Sequence, residues 1–139
     1  MYPFLVESKV FCVDLYQLKD GRFQMIKEGN LSPFMAGYDY ILVEDNLTDF
    51  LELLDIPQIE FGNAIIWNSN TKTEYKNYKQ LFIKNYLTEE NFNHLDLKGL
   101  KMYLYQGGYL FVNPALKELL ENSKFDYLLF SPGFSRFVK

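Results

Sequence analysis

A single cysteine, Cys12, and a single histidine, His94, are the scarcest chemistry in this 139-residue chain. One cysteine excludes an internal disulfide framework and any multi-cysteine metal site. One histidine excludes paired-histidine metal chemistry and leaves few routes to nucleophilic catalysis. Only Arg22 and Arg136 are arginine, and the fourteen bases face eighteen acids for a net charge of −4. Polyanion binding runs on Lys and Arg, so a nucleic-acid partner is not expected. No run approaches the ~18 apolar residues of a membrane span. The start, Met1-Tyr2-Pro3-Phe4-Leu5-Val6-Glu7, lacks a basic region and a long apolar stretch, so the expectation is a cytoplasmic protein without membrane attachment.

Aromatics are abundant: thirteen Phe, eleven Tyr and one Trp make 18% of the chain. Most belong in a core, but eleven tyrosines lean toward an interface, where Tyr is enriched. Hydrophobic residues at 48% and charged residues at 23% suit one ordinary folded domain spanning 1–139.

Alternation and turn residues give the layout. Residues 9–18 read as a strand, turned by Asp20-Gly21 into a second at 22–26. Gly29 to Gly37 reads as a loop and 38–43 as a strand. Asp45-Asn46 can cap a helix whose Leu47, Phe50, Leu51 and Leu54 share one face, stopped by Pro57. A short strand at 64–67 and a turn at 68–71 follow. The aromatic content of 77–87 favours strand over helix. Thr88 caps a short helical turn through Phe92. Strands at 100–105 and 109–112 flank Gly107-Gly108, read as a two-residue hairpin turn. Asn113 as cap and Pro114 at the first position open a helix carrying Leu116, Leu119 and Leu120, ending near Asn122. A strand at 125–130 closes the pattern before Ser131-Pro132-Gly133. The fold class is α+β, a mostly antiparallel sheet with two or three short helices. No internal repeat and no linker is read.

Catalytic motifs are thin. His94 stands next but one to Asp96, which would make a general base with an orienting acid, the basis for a small enzyme as one alternative. The ordinary reading is a polar residue at a helix end. Cys12 reads as a small apolar residue in a strand. Glu7-Ser8-Lys9, Glu74-Tyr75-Lys76 and Asp96-Leu97-Lys98 match the acid-x-Lys of some nucleases, at a frequency chance supplies. No phosphate-binding glycine loop or nucleophile elbow occurs, so the reading is a non-enzyme without cofactor or metal.

Charge is unevenly placed. From Glu28 to Thr71 there is no Lys or Arg, and eight acids give −8. The rest holds fourteen bases against ten acids, +4. Asp45, Asp49 and Glu52 fall at i, i+4 and i+7 of the first helix, on one face. Such a face is either solvated surface favoured by the helix dipole or a surface that steers a basic partner. Asp45, Asp49 and Glu52, with Tyr38 and Tyr40 as aromatic anchors, are the candidate partner-binding residues.

One stretch carries a family resemblance. Tyr109-Leu110-Phe111-Val112-Asn113-Pro114-Ala115-Leu116-Lys117-Glu118-Leu119-Leu120, then Phe125-Asp126-Tyr127-Leu128-Leu129-Phe130-Ser131-Pro132, resembles the closing strand–helix–strand of a group of small bacterial proteins. That group, long catalogued as a domain of unknown function, is described as immunity proteins of polymorphic toxin systems. The similarity extends upstream through Leu81-Phe82-Ile83-Lys84-Asn85-Tyr86-Leu87 and covers about residues 78–133. It implies an inhibitor that binds and neutralises a toxin, and it carries no catalytic residues. A small-molecule-binding or regulatory module, its cleft lined by tyrosines, is the other alternative.

Overall fold

The computed structural model describes residues 1–137. In chain order it has β1 (Phe4–Ser8), β2 (Leu15–Gln17), β3 (Phe23–Met25), β4 (Phe34–Gly37), β5 (Tyr40–Glu44), α1 (Asp45–Leu53), β6 (Ile59–Asn68) and β7 (Thr73–Ile83). Then come β8 (Tyr86–Leu87), a 3-10 turn (Phe92–His94), β9 (Met102–Tyr105), β10 (Tyr109–Val112), α2 (Pro114–Glu121) and β11 (Leu128–Pro132). Two mixed sheets result, ordered β11-β1-β10-β9-β8 and β2-β3-β6-β7-β5-β4. Among the described residues, only β3–β6 and β8–β9 pair in parallel. The class is α+β and mostly antiparallel, with two α-helices.

Several boundaries move. Phe4–Ser8, weighed in the sequence only as a leader, is an inner strand paired with both β10 and β11. Residues 9–14 are loop rather than strand, and Phe34–Gly37 is strand rather than loop. Pairing with β7 draws the short 64–67 strand out to ten residues. Residues 77–87 are strand, as their aromatics indicate. Asp45-Asn46 does not cap α1: Glu44 holds the cap position and makes no side-chain cap bond. Asn113 does cap α2, accepting from the Leu116 N–H. It is fully buried, also accepts from Lys101 N–H, and donates to the Leu97 and Gly99 carbonyls. Gly107-Gly108 lies in a hairpin that pairs Leu104 with Leu110. The last pair is Tyr105–Tyr109, so the loop has three residues, not two, with positive φ at Gln106 and Gly107.

The absence of a repeat is also overturned. Residues 40–61 and 109–130 superpose in sequence at a constant offset of 69, and each builds strand, helix, strand. Tyr40/Tyr109, Val43/Val112, Leu47/Leu116, Leu51/Leu120, Glu52/Glu121 and Phe61/Phe130 are identical. In each copy the two strands are parallel and separated by one antiparallel strand, β7 in the first and β1 in the second. Ile41, Val43, Leu47, Leu51 and Ile56 meet their counterparts Leu110, Val112, Leu116, Leu120 and Phe125 in one shared core. A second cluster lies on the far face of the six-stranded sheet. A third, around Tyr103, Tyr105 and Phe111, is covered by Phe92, Phe134 and Phe137.

The copies touch at their hairpin turns. A Cβ built on Gly108 would stand 2.2 Å from the Gly37 carbonyl oxygen, and one on Gly107 2.7 Å from an Asp39 carboxylate oxygen. Gly108→Ala should therefore destabilise by about 3 kcal/mol, since backbone must move to admit the methyl. Gly21→Ala, at φ +95° in open space, should cost only about 1 kcal/mol of backbone strain. Chemical denaturation of both variants checks the contrast.

Buried tyrosines set an alkaline limit. Tyr78 donates to the Ser32 carbonyl at 3.0 Å and Tyr103 to that of Asp96 at 2.9 Å. Burial pushes both phenols up to about 12, whereas an unfolded Tyr titrates near pH ~10. Between these values the unfolded chain has released protons that the native state keeps, so stability falls as pH rises through that window. Below it, this contribution is fully present. Urea unfolding across the window should show the fall, and Tyr78→Phe should flatten it.

Candidate protein-binding site

The chain places apolar side chains in solvent where sequence patterning would bury them. Val10 and Phe11 sit on the loop after β1, and the Phe11 side chain is 89% exposed. Tyr38, in the turn between β4 and β5, is 88% exposed. Both line a groove of about 410 Å³ where β1 of one sheet meets β4 of the other. Val6, Val13 and Phe34 form its buried apolar wall, and Tyr109 lies at the same opening. An equivalent crevice of about 310 Å³ lies against β7, with Leu104 of β9 and the 39–41 segment taking the places of β4 and the 108–109 turn. The duplicated architecture thus forms a groove beside each copy's inner strand.

No Lys or Arg lines the larger groove, which carries Glu7 and Asp14. Arg136 reaches Glu7 at 3.1 Å. Asp14 is exposed and makes no ion pair among the described residues. Burial, with Asp14 nearby, raises the Cys12 thiol above its ordinary value. Burial also raises the Tyr40 phenol, against the Leu15 N–H that donates to its oxygen at 3.2 Å.

The sequence-predicted residues divide. Tyr40 is only 8% exposed and its ring sits tilted against Phe23 at 5.5 Å, so it is mainly a core residue, although it also lines the groove beside Phe11. β5 is buried on both faces, so Tyr40 packs in the cluster on the far side of the six-stranded sheet. Tyr38, outside the strand, escapes that constraint. Asp45, Asp49 and Glu52 do share the outer face of α1, opposite Leu47 and Leu51. Asp45 pairs with Lys79 of β7 at 3.0 Å, which removes it from any free acidic face. Asp49 and Glu52 are exposed without an ion pair among the described residues, beside the 86% exposed Leu53. Glu60 is also paired, with Lys84. Tyr38 and Asp45 stand at opposite ends of β5, about 20 Å apart at ~3.3 Å per residue. The acidic face and the aromatic groove are therefore two surfaces, not one.

Sequence reasoning missed Phe11, Asp14 and Tyr109. Val10-Phe11 scored as strand core because composition cannot tell a buried apolar pair from an exposed one. The signal available was their position before Asp14, after which pairing with β3 begins.

His94 is exposed on the 3-10 turn. The Asp96 carboxylate accepts from the Lys98 N–H at 3.0 Å and faces Lys101 at 3.6 Å. That N–H and then the lysine charges lower its pKa. Asp96 is thus turned toward lysines and orients no imidazole. Among the described residues no cluster of three or more Cys, His or carboxylate groups could hold a metal, and no helix is long and apolar enough to cross a membrane.

The two tyrosines should separate in a stability assay. Tyr38→Ala should change unfolding free energy by no more than about 0.5 kcal/mol. Tyr40→Ala should cost about 3–5 kcal/mol, as for other large core aromatics. Neither protein-family models, nor curated proteins, nor solved structures yield a match to this chain.

Proposed function

We propose that this chain is a non-catalytic protein-binding domain, an immunity-type inhibitor that acts in the cytoplasm by binding and neutralising a basic toxin. The observation that carries the reading is the exposure of Phe11 and Tyr38 at a groove. Two aromatic rings held in water offer apolar area whose burial against a partner is favourable, and such rings anchor protein interfaces. The unpaired Asp49 and Glu52 add a negative surface that attracts a basic partner over a distance. The resemblance of residues 78–133 to immunity proteins supplies the toxin.

A small-molecule module is the second reading, favoured by a groove volume within the ~300–1,000 Å³ range of ligand sites. Against it, Phe11 and Tyr38 remain almost wholly in water although they line the groove. A macromolecular surface covers them.

The test is binding kinetics against the protein encoded by the neighbouring gene. Asp49→Lys/Glu52→Lys changes the α1 face by four charges while sparing the Asp45–Lys79 pair. Association should slow about tenfold or more at low salt, with the gap closing as ionic strength rises. Stability should shift by no more than about 0.5 kcal/mol. An on-rate equal to wild type in the folded variant means that α1 does not steer the partner.

A further inference from the structure

We infer that the groove beside Phe11 is the pocket for an arginine side chain presented by the protein partner. This rests on the protein-binding reading above and names what one part of the partner brings. Three features of the groove converge on a guanidinium. Its wall is apolar, made by Val6, Val13 and Phe34, which suits an aliphatic stem. Its lining charge is acidic: no Lys or Arg lines it, Glu7 is already paired with Arg136, and Asp14 has no ion pair among the described residues and is left to meet a cation. Its opening carries the exposed rings of Phe11 and Tyr38, and a planar cation stacks on such faces.

The chain already holds guanidinium groups in this way. Arg22 lies 4.8 Å over the Trp67 ring while pairing with Asp20 at 3.0 Å and Glu74 at 3.6 Å. Arg136 pairs with Glu7 at the groove's edge, showing that its carboxylate accepts a guanidinium there. The equivalent crevice beside β7 lacks this character, because Lys84 joins Asp39 in its lining. Of the two related grooves, only the one beside Phe11 holds a carboxylate, Asp14, with no lining cation and no ion pair among the described residues. Arginine is favoured over lysine because its flat fork serves ring and carboxylate together.

The test titrates isotope-labelled protein with acetyl-Gly-Arg-Gly-amide and with its Glu counterpart, following backbone amide shifts. The arginine peptide should give saturable shifts centred on Phe11, Cys12, Asp14 and Tyr38, half-saturating at about millimolar concentration, as a single side chain would. Asp14→Asn and Phe11→Ala should each weaken it threefold or more, with Phe11→Leu as a second variant. These side chains are exposed, so the spectra of the free variants should stay native. Shifts scattered over all surface carboxylates, equal shifts with the glutamate peptide, or affinity unchanged in the variants would overturn the pocket. The two readings fail separately. A neighbouring-gene product bound equally by wild type and by Phe11→Ala/Asp14→Asn removes the pocket and keeps the protein-binding reading. Arginine-peptide binding in the groove, with no binding to that product, removes the toxin partner and keeps the pocket.

Discussion

Gly108 lies against the Gly37 carbonyl with no room for a side chain between them, and this contact ties the two sheets together at their turns. Gly37 ends β4 and Gly108 precedes β10, so the close approach joins two strands from different sheets at their turns. A Cβ there would push the sheets apart and open the core where Leu47 and Leu51 meet Leu116 and Leu120. The grooves on either side are consequences of the same crossing. Two twisted sheets that touch at their turns diverge away from the contact, and the gaps remain open beside β1 and β7. The candidate binding surface is therefore not a loop added to a scaffold. It is where the scaffold's two halves fail to close.

Charge is organised differently in the chain and in the fold. Along the sequence, 28–71 is an unbroken acidic segment. In space, β7 runs between β5 and β6 and carries Lys79 and Lys84 back onto Asp45 and Glu60. The tertiary structure thereby cancels part of the segment and leaves a smaller negative surface on α1. Such exposed pairs contribute little to stability, about 0–1 kcal/mol each. Their larger effect is on where negative potential remains. Asp49, Glu52 and Asp14 retain it, on two separate surfaces.

The aromatic excess has two destinations. Tyr103, Phe23, Phe34 and Phe111 are among the most deeply buried side chains, and buried Tyr78 and Tyr103 donate their hydroxyls to carbonyls. That satisfies the polar tip while the ring fills the core. Phe11 and Tyr38 have no such role in the fold, and their exposure is unnecessary for stability. Their exposure at the groove is what the proposed binding surface rests on.

Local chemistry determined much of this protein. Asn113-Pro114 specified the start of α2, since the side chain caps a free N–H and proline needs none. Gly107-Gly108 marked a hairpin, the Leu47–Leu51 spacing marked α1, and the strand content of 77–87 followed from its aromatics. The α+β class follows from those elements. What the sequence left open is everything that depends on partners distant in the chain. Phe4–Ser8 is a strand because β10 and β11, more than 100 residues later, supply hydrogen bonds on both sides. Six identities at an offset of 69 are too sparse to read until the equivalent positions are seen buried together. Tyr38 and Tyr40 are the same residue type on either side of Asp39, yet Tyr38 is surface and Tyr40 is core. A two-residue step in a strand keeps the same face, but β5 begins only at Tyr40, and pairing with β4 and β7 decides that limit. Residue type sets what a side chain can do; non-local pairing sets which side of the sheet it faces.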